Sequence, residues 1–408
     1  MFSKKRSRFF WILSVMAIFA VMLAACGDDD DDDDDGNGGD VGFETVTIEA
    51  GDTIKIGISS VLSGDLESLG LPIAQAAELA GMDATIEGFA VEFIRRDDLC
   101  TAEGGPSAAT QLIDEGVVAV IGPICSAGVA AAQEVYERAG IPHITPSATA
   151  VSLVEPARGS PYATFFRIPT SDGVQGVAQA EFALGELAAT SVYIVHDTDV
   201  YGDGLATVFE RSFTDGGGEV LGKEGYERQT TDFAAIVTNI ENAAPDLVYH
   251  AGFFAEATPF IQQLRAAMPD VLFLSGDGVR DDEFLAGAGD DAEGAYLSLP
   301  TAFEAGGPAD AFAAAFEAEY GEAATDSPFT FEAYDAATAI VMALQEAAEL
   351  DGDALVVDLE ALTDAIRGVS FDGASGPIAF GANGDNSARA DAEITLYVVE
   401  GGEFVTVD

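Results

Sequence analysis

This chain carries little positive charge. Lysine and arginine total 17 against 71 aspartates and glutamates, a net charge of −54 over 408 residues. Such a surface repels polyanions, which excludes nucleic acid and anionic lipid headgroups as partners. It also repels itself unless salt screens it, and we read it as adaptation to a saline environment rather than as a clue to a ligand. Histidine is equally scarce. His143, His196 and His250 are too far apart for an i, i+4 pair, so no zinc site is expected. No G-x-G-x-x-G follows the first strand-like run and no Walker A loop occurs, which argues against a nucleotide cofactor. Asp197-Thr198-Asp199-Val200-Tyr201-Gly202 opens like a calcium loop. It has Tyr201 at the fifth position and Val208 at the twelfth, where a bidentate glutamate belongs. No serine sits in a nucleophile elbow, and in so acidic a chain a paired carboxylate carries almost no information. No cofactor and no metal are therefore expected.

One long apolar run is present. Phe9 to Ala25 is apolar apart from Ser14 and follows Lys4, Lys5, Arg6 and Arg8, the pattern of a secretory signal. Next comes Cys26, then aspartate at every position from Asp28 to Asp35. Leu23-Ala24-Ala25-Cys26 resembles the bacterial lipobox, which implies cleavage before Cys26 and lipid on its sulfur and new amino group. An uncleaved membrane anchor is the alternative, since 17 residues is near the lower limit for a span. A block of like charge stays solvated and extended, so residues 26–52 read as an acidic flexible tether behind a signal at 1–25. Three cysteines fit one lipid site plus one pair. Cys100 and Cys125 follow the signal and reach a compartment where a disulfide persists, with two isolated buried thiols as the other reading.

Beyond Thr53, short Val/Ile-rich runs alternate with amphipathic stretches. Strands are expected at Ile54–Ser59, Val117–Ile121, Ile141–Thr145, Val192–Val195, Leu247–Ala251 and Leu272–Ser275. Helices are expected at Ile73–Met82, Gly128–Arg138, Gly173–Leu187, Leu205–Phe213, Phe233–Asn242 and Pro259–Met268, with Gly140 and Gly216 as C-caps. This alternation implies an α/β fold with parallel sheets covered on both sides. After Pro300 helices dominate, over Asp310–Tyr320, Phe331–Leu350 and Leu355–Arg367, and two strands close the chain at Ile394–Val399 and Phe404–Val407.

In open α/β sheets ligands bind beyond the carboxyl ends of strands. Val117–Ile121 runs into Gly122-Pro123-Ile124-Cys125-Ser126, with Ser126 where an N-cap belongs. Its hydroxyl and the free N–H groups behind it make an anion site, or simply a cap. The next strand ends in Thr145-Pro146-Ser147-Ala148-Thr149, so two neighbouring strands bring hydroxyls and amides to one point. Val271–Ser275 ends in Gly276-Asp277-Gly278, where Asp277 either holds a cation or merely makes a turn.

Several segments, in order, resemble the substrate-binding proteins of ABC importers for branched-chain amino acids, the type I periplasmic-binding-protein fold. They are VLSGDLESLG, DDLC, VIGPICSAG, ITPSAT, FFRIPTSDGVQG, VYGDGLA, VYHAGFF, LSGDGV, EGAYLSLP, YDAATA and SGPIAFGANGD, and the likeness spans roughly 53–400. The resemblance implies that Ser126 and Thr149, in the turn with Ser147, receive an α-carboxylate. Asp277 holds the α-ammonium, Ala148 adds a backbone carbonyl, and Tyr201 closes over the ligand. Leu69 and Phe253 line the side-chain pocket, and a Cys100–Cys125 disulfide braces the Ser126 loop. Leu69 and Phe253 stand where aromatic or tyrosine residues are usual, making the pocket more apolar. Asp277 replaces a longer glutamate, a gap that a water or a shifted ligand fills.

The expectation is two Rossmann-like lobes joined by a three-segment hinge. One lobe comprises 53–172 and 301–387, the other 173–300 and 388–408, with crossings near Asp172, Pro300 and Ala388. A small solute, an amino acid or a related carboxylate or amide, binds between them and passes to an ABC permease. The protein is expected to be a lipid-anchored extracytoplasmic monomer. Two other classes stand beside this one: an enzyme using the cleft, which none of the three histidines supports, and a sensory module of the same fold.

Overall fold

A computed structural model describes residues 41–155, 159–300, 306–389 and 394–407. The signal, Cys26 and the aspartate run lie outside the described residues. The expected tether ends before residue 52. Thr45–Ile48 is a strand antiparallel to Ala354–Asp358, because Val46 and Ile48 alternate with threonine and turn one apolar face inward.

Two sheets organise the rest. The first has six strands in the order Thr85–Ile86, Phe89–Asp97, Ile54–Ser60, Ala119–Ile121, His143–Thr145 and Phe165–Arg167. All its pairings are parallel except the edge hairpin at Thr85–Ile86. The second has seven, ordered Glu403–Thr406, Thr395–Glu400, Ala295–Leu299, Leu272–Ser275, Leu247–Ala251, Ser191–Asp197 and Glu219–Tyr226. Its five middle and far-edge strands are parallel, while the C-terminal hairpin joins antiparallel. The central strands are buried on both faces, as their predominantly apolar sequences allow. Between the two sheets the chain passes three times, after Arg167, after Leu299 and before Thr395. The intervening segment 306–389 packs on the first sheet through helix Thr330–Ala347 and is pinned to its edge where Arg167 bridges Asp385.

Most expected elements are present, some with longer bounds and some, such as strands Ala119–Ile121 and His143–Thr145, with shorter ones. The helix read from Ile73 begins at Glu67 and runs through Pro72, and the helix read from Pro259 begins at Phe254. Two expectations need correction. Leu355–Arg367 is not one helix: Ala354–Asp358 is a strand, and the helix is Leu359–Gly368, started by the Asp358 side chain accepting from Ala361 N. Helix Thr330–Ala347 stops short of Leu350, because Ala348–Asp351 pairs with that same strand. Gly140 and Gly216 are both C-caps as expected, Gly140 left-handed and Gly216 right-handed with a left-handed Gly217 after it. Strands Phe89–Asp97, Phe165–Arg167, Glu219–Tyr226 and Ala295–Leu299 were not anticipated. Charged or glycine residues interrupt the apolar pattern in several of them.

Candidate functional site

At the end of Ala119–Ile121 the chain turns through Gly122, whose φ of +104° and contact with the Ser59 carbonyl leave no room for a Cβ. Cys125 is extended and disulfide-bonded to Cys100, with Cα atoms 5.2 Å apart. Behind the bridge, Asp98 accepts from Ser59 Oγ at 2.8 Å and from Cys100 N at 2.9 Å, which fixes the neighbouring loop.

The following helix is Ser126–Ala139, so Ser126 is its first residue and Cys125 occupies the cap. The cap makes no side-chain hydrogen bond, because a disulfide sulfur cannot reach back to the free N–H groups. The Ser126 hydroxyl instead accepts from Ala150 N at 3.3 Å. The helix start is therefore left uncapped by any side chain, and its dipole favours an anion there.

The turn Thr145–Thr149 is laced to the same loop. Thr145 Oγ1 donates to Pro123 O at 2.7 Å and accepts from Ala148 N at 3.1 Å, while Ser147 Oγ donates to Ile124 O at 2.5 Å. The Ser147 proton is thus committed to holding the loop. Arg167, wholly buried, donates to Thr149 O at 3.0 Å and Ala150 O at 2.8 Å and pairs with Asp385 at 2.7 Å. Thr149 Oγ1 is buried and makes no hydrogen bond of normal geometry within the chain.

The opposite wall comes from the second sheet. Tyr201 lies in the first turn of helix Val200–Asp215, where Gly202 is required because a Cβ would strike Asp197 and the Ala251 carbonyl. Its hydroxyl donates to Asp277 Oδ1 at 2.8 Å and accepts from Gly278 N at 3.0 Å. Gln175 Nε2 donates to the same Oδ1 at 2.6 Å. Both bonds end on Oδ1, which leaves Oδ2 as the oxygen available to a ligand. Burial pushes the Asp277 carboxyl up to about 6, against the opposing pull of its Gln175 and Tyr201 hydrogen bonds. Phe253 packs on Tyr201 with ring centroids 5.1 Å apart, and the Arg228 guanidinium lies 4.5 Å from the Phe253 ring.

These residues close around one narrow cavity. Ser126, Ser147, Ala148, Thr149 and Leu69 line it from the first-sheet side, and Tyr201, Phe253 and Asp277 from the second. None of the eight is more than 7% exposed, so the two sides are shut on each other. Further ties cross outside the cavity, from Ser68 Oγ to Asp281 at 3.2 Å and from Arg280 to Asp326 O at 3.2 Å. Ile124, Cys125, Gly278 and Phe329 also line the cavity. Phe329 escapes sequence reasoning because its position depends on a left-handed φ of +65° that no turn residue announces. His143, His196 and His250 do not line it. One end of the cavity thus offers hydroxyls and a bare helix start, the other a carboxylate, with apolar side chains between. That polarity suits a small zwitterion with an apolar side chain. A wider open groove outside, between Asp65–Pro72 and Asp281–Glu283, carries carboxylates on both walls and lacks this polarity.

Residues 53–403 match the family described as periplasmic binding protein. The leucine-, isoleucine-, valine-, threonine- and alanine-binding protein of Pseudomonas aeruginosa is 30% identical over 348 residues, covering 84% of this chain and 90% of that one. The Leu/Ile/Val-binding protein of Escherichia coli K12 is 30% identical over 257 residues, 62% of this chain and 69% of its own. Among solved structures, the Streptococcus pneumoniae branched-chain amino acid transporter substrate-binding protein LivJ, in complex with isoleucine, matches with a TM-score of 0.75 at 26% identity. That match covers 87% of this chain and 100% of LivJ. A solute-binding protein of R. palustris in complex with benzoate matches at a TM-score of 0.74 and 22% identity, over 87% and 95% of the two chains, which speaks to the fold.

Proposed function

This chain belongs to the periplasmic binding protein family, and from that premise we propose that it is the extracytoplasmic solute-binding component of an ABC importer. Its ligand is an α-amino acid with an apolar side chain, held in the cavity between the two sheets. The observation that carries this reading is the polarity of that cavity: Ser126, Thr149 and an uncapped helix start at one end, Asp277 at the other. A carboxylate receives the N–H and hydroxyl donors, and an ammonium receives Asp277. A ligand lacking either end leaves a buried polar group unpaired, which is the basis of selectivity.

The three passages of the chain between sheets support a two-lobe reading with boundaries near residues 172, 300 and 388. Opening about those passages admits the ligand, and contacts to both lobes bias the equilibrium toward closure. The Cys26 lipobox resemblance supports a lipid anchor, with the aspartate run as a spacer. Both lobes of the closed monomer then face a membrane permease. A thermal-shift screen of amino acids, amides and small carboxylates at high salt tests this. Apolar α-amino acids should raise the melting temperature most, and a response to carboxylates alone would overturn the reading.

A further inference from the structure

Asp172 lies one layer behind the cavity, as the first residue of helix Asp172–Gly185, and is wholly buried. One Gln175 amide nitrogen serves two carboxyls, donating to Asp172 Oδ1 at 3.2 Å and to Asp277 Oδ1 at 2.6 Å. The direction of that amide is fixed from behind. Tyr249 OH donates to Gln179 Oε1, Gln179 Nε2 to Ser298 Oγ, and Ser298 Oγ to Gln175 Oε1, at 2.6, 2.8 and 3.2 Å. All four residues of this chain are completely buried. Gln175 must therefore present nitrogen, not oxygen, to the two carboxyls.

The charges around Asp172 do not balance. Asp277 faces it across Gln175, and Arg167 is the cation that acts on it. Arg167 is already paired with Asp385. Tyr201 and Tyr249 face the two carboxyls and are held neutral, their hydroxyls pushed well above the usual range by burial and then by those carboxyls. Burial, and then Asp277, likewise holds the Asp172 carboxyl well above the ordinary range. If Asp172 and Asp277 were both ionised, a single ligand ammonium would neutralise only one of them.

Two orphan atoms belong to residues that interact here. Asp172 Oδ2 and Thr149 Oγ1 are both buried without a hydrogen bond of normal geometry, and the Thr149 hydroxyl acts on the Asp172 carboxyl. We propose that Asp172 keeps a proton on Oδ2 and donates it to Thr149 Oγ1, which turns the Thr149 hydrogen into the cavity toward the anionic end of the ligand. An ionised Asp172 would draw that hydrogen to itself and point a Thr149 lone pair at the ligand carboxylate. Asp172 is thus a positioning residue. It orients the donor at one end of the ligand and leaves Asp277 the sole anion at the other. This rests on the amino-acid reading above.

The test uses the full chain and two readouts. The infrared difference spectrum of ligand-free wild type minus Asp172→Asn at pH 7 should contain a protonated-carboxyl C=O stretch. Calorimetric titration with L-leucine should show Asp172→Ala weakened about tenfold, the effect of one lost buried hydrogen bond. Asp172→Asn, whose amide N–H donates from the same place, should recover most of the loss. Absence of the band, or an Asp172→Asn variant as weak as Asp172→Ala, overturns the proposal. The band is read without ligand. Failure of the wild type to bind any amino acid would therefore count against the amino-acid reading, and the band would still decide where the proton sits.

Discussion

At the scale of single residues, Asp277 does two things with one carboxyl. Oδ1 is tied to Tyr201 and Gln175, which aims the group, and Oδ2 is left for a ligand. Asp277→Ala removes the anion opposite the proposed ammonium and leaves that ammonium buried and unpaired. Affinity for leucine should fall by about 100-fold or more, on the order of 3 kcal/mol, as calorimetry would measure. Unchanged affinity would remove Asp277 from the site. Asp197 lies outside the cavity and affects stability instead. Burial, first, and then the nearby carboxylates of Asp199 and Glu256 raise it to about 7 against the opposing pull of Arg228. A carboxyl raised on folding binds more protons folded than unfolded. Stability therefore falls as pH climbs from the ordinary value of 3.8 through about 7, and is level above it. Asp197→Asn should raise the melting temperature more at pH 8 than at pH 4, and an equal change at both would contradict the assignment. Residues of this kind divide by legibility. Ser126 and Thr149 drew attention as hydroxyls at strand ends, while Asp277 was singled out as a ligand group only by the family resemblance. Asp172 and Gln175 were not legible, because in a chain with 71 acidic residues one more aspartate signals nothing until its burial is known.

At the scale of elements, the loop before helix Ser126–Ala139 depends on its covalent brace. Cys100 and Cys125 are 25 residues apart, and closing such a loop stabilises by about 3 kcal/mol in the chain-entropy account. Reduction, or Cys100→Ala with Cys125→Ala, should lower the melting temperature by several degrees and weaken leucine binding, because Ser126 and Ile124 lose their anchor. Calorimetry and thermal unfolding with and without reductant check both effects. Helices with clear apolar stripes were legible from sequence, with ends misplaced by a few residues. The register of the second hydroxyl turn, and the shift of Ser126 from cap to first helical residue, were not. They follow from the Thr145 and Ser147 bonds to Pro123 and Ile124 and from the disulfide, all of which are long-range. The strand Ala354–Asp358 was hidden for a related reason: its pairing partners, Thr45–Ile48 and Ala348–Asp351, include one far away in the chain.

At the scale of the whole molecule, a net charge of −54 favours the unfolded state at low salt through self-repulsion. Raising sodium chloride from 0.1 M, where the screening length is about 10 Å, should raise the melting temperature steadily. A flat response would remove the saline reading of the composition. The α/β class and its alternation were legible, since Val/Ile runs separated by amphipathic stretches admit few other layouts. Closure was expected from the family resemblance, but the contacts that hold it, such as Ser68 to Asp281, join positions remote in sequence and were not legible. The central claim is that the closed cavity grips both ends of a zwitterion, and calorimetric titration with leucine and with 4-methylpentanoate, the same molecule without its amine, tests it most directly. Leucine should bind, and the amine-free acid should bind at least about 100-fold more weakly. Equal affinity for the two would contradict the account.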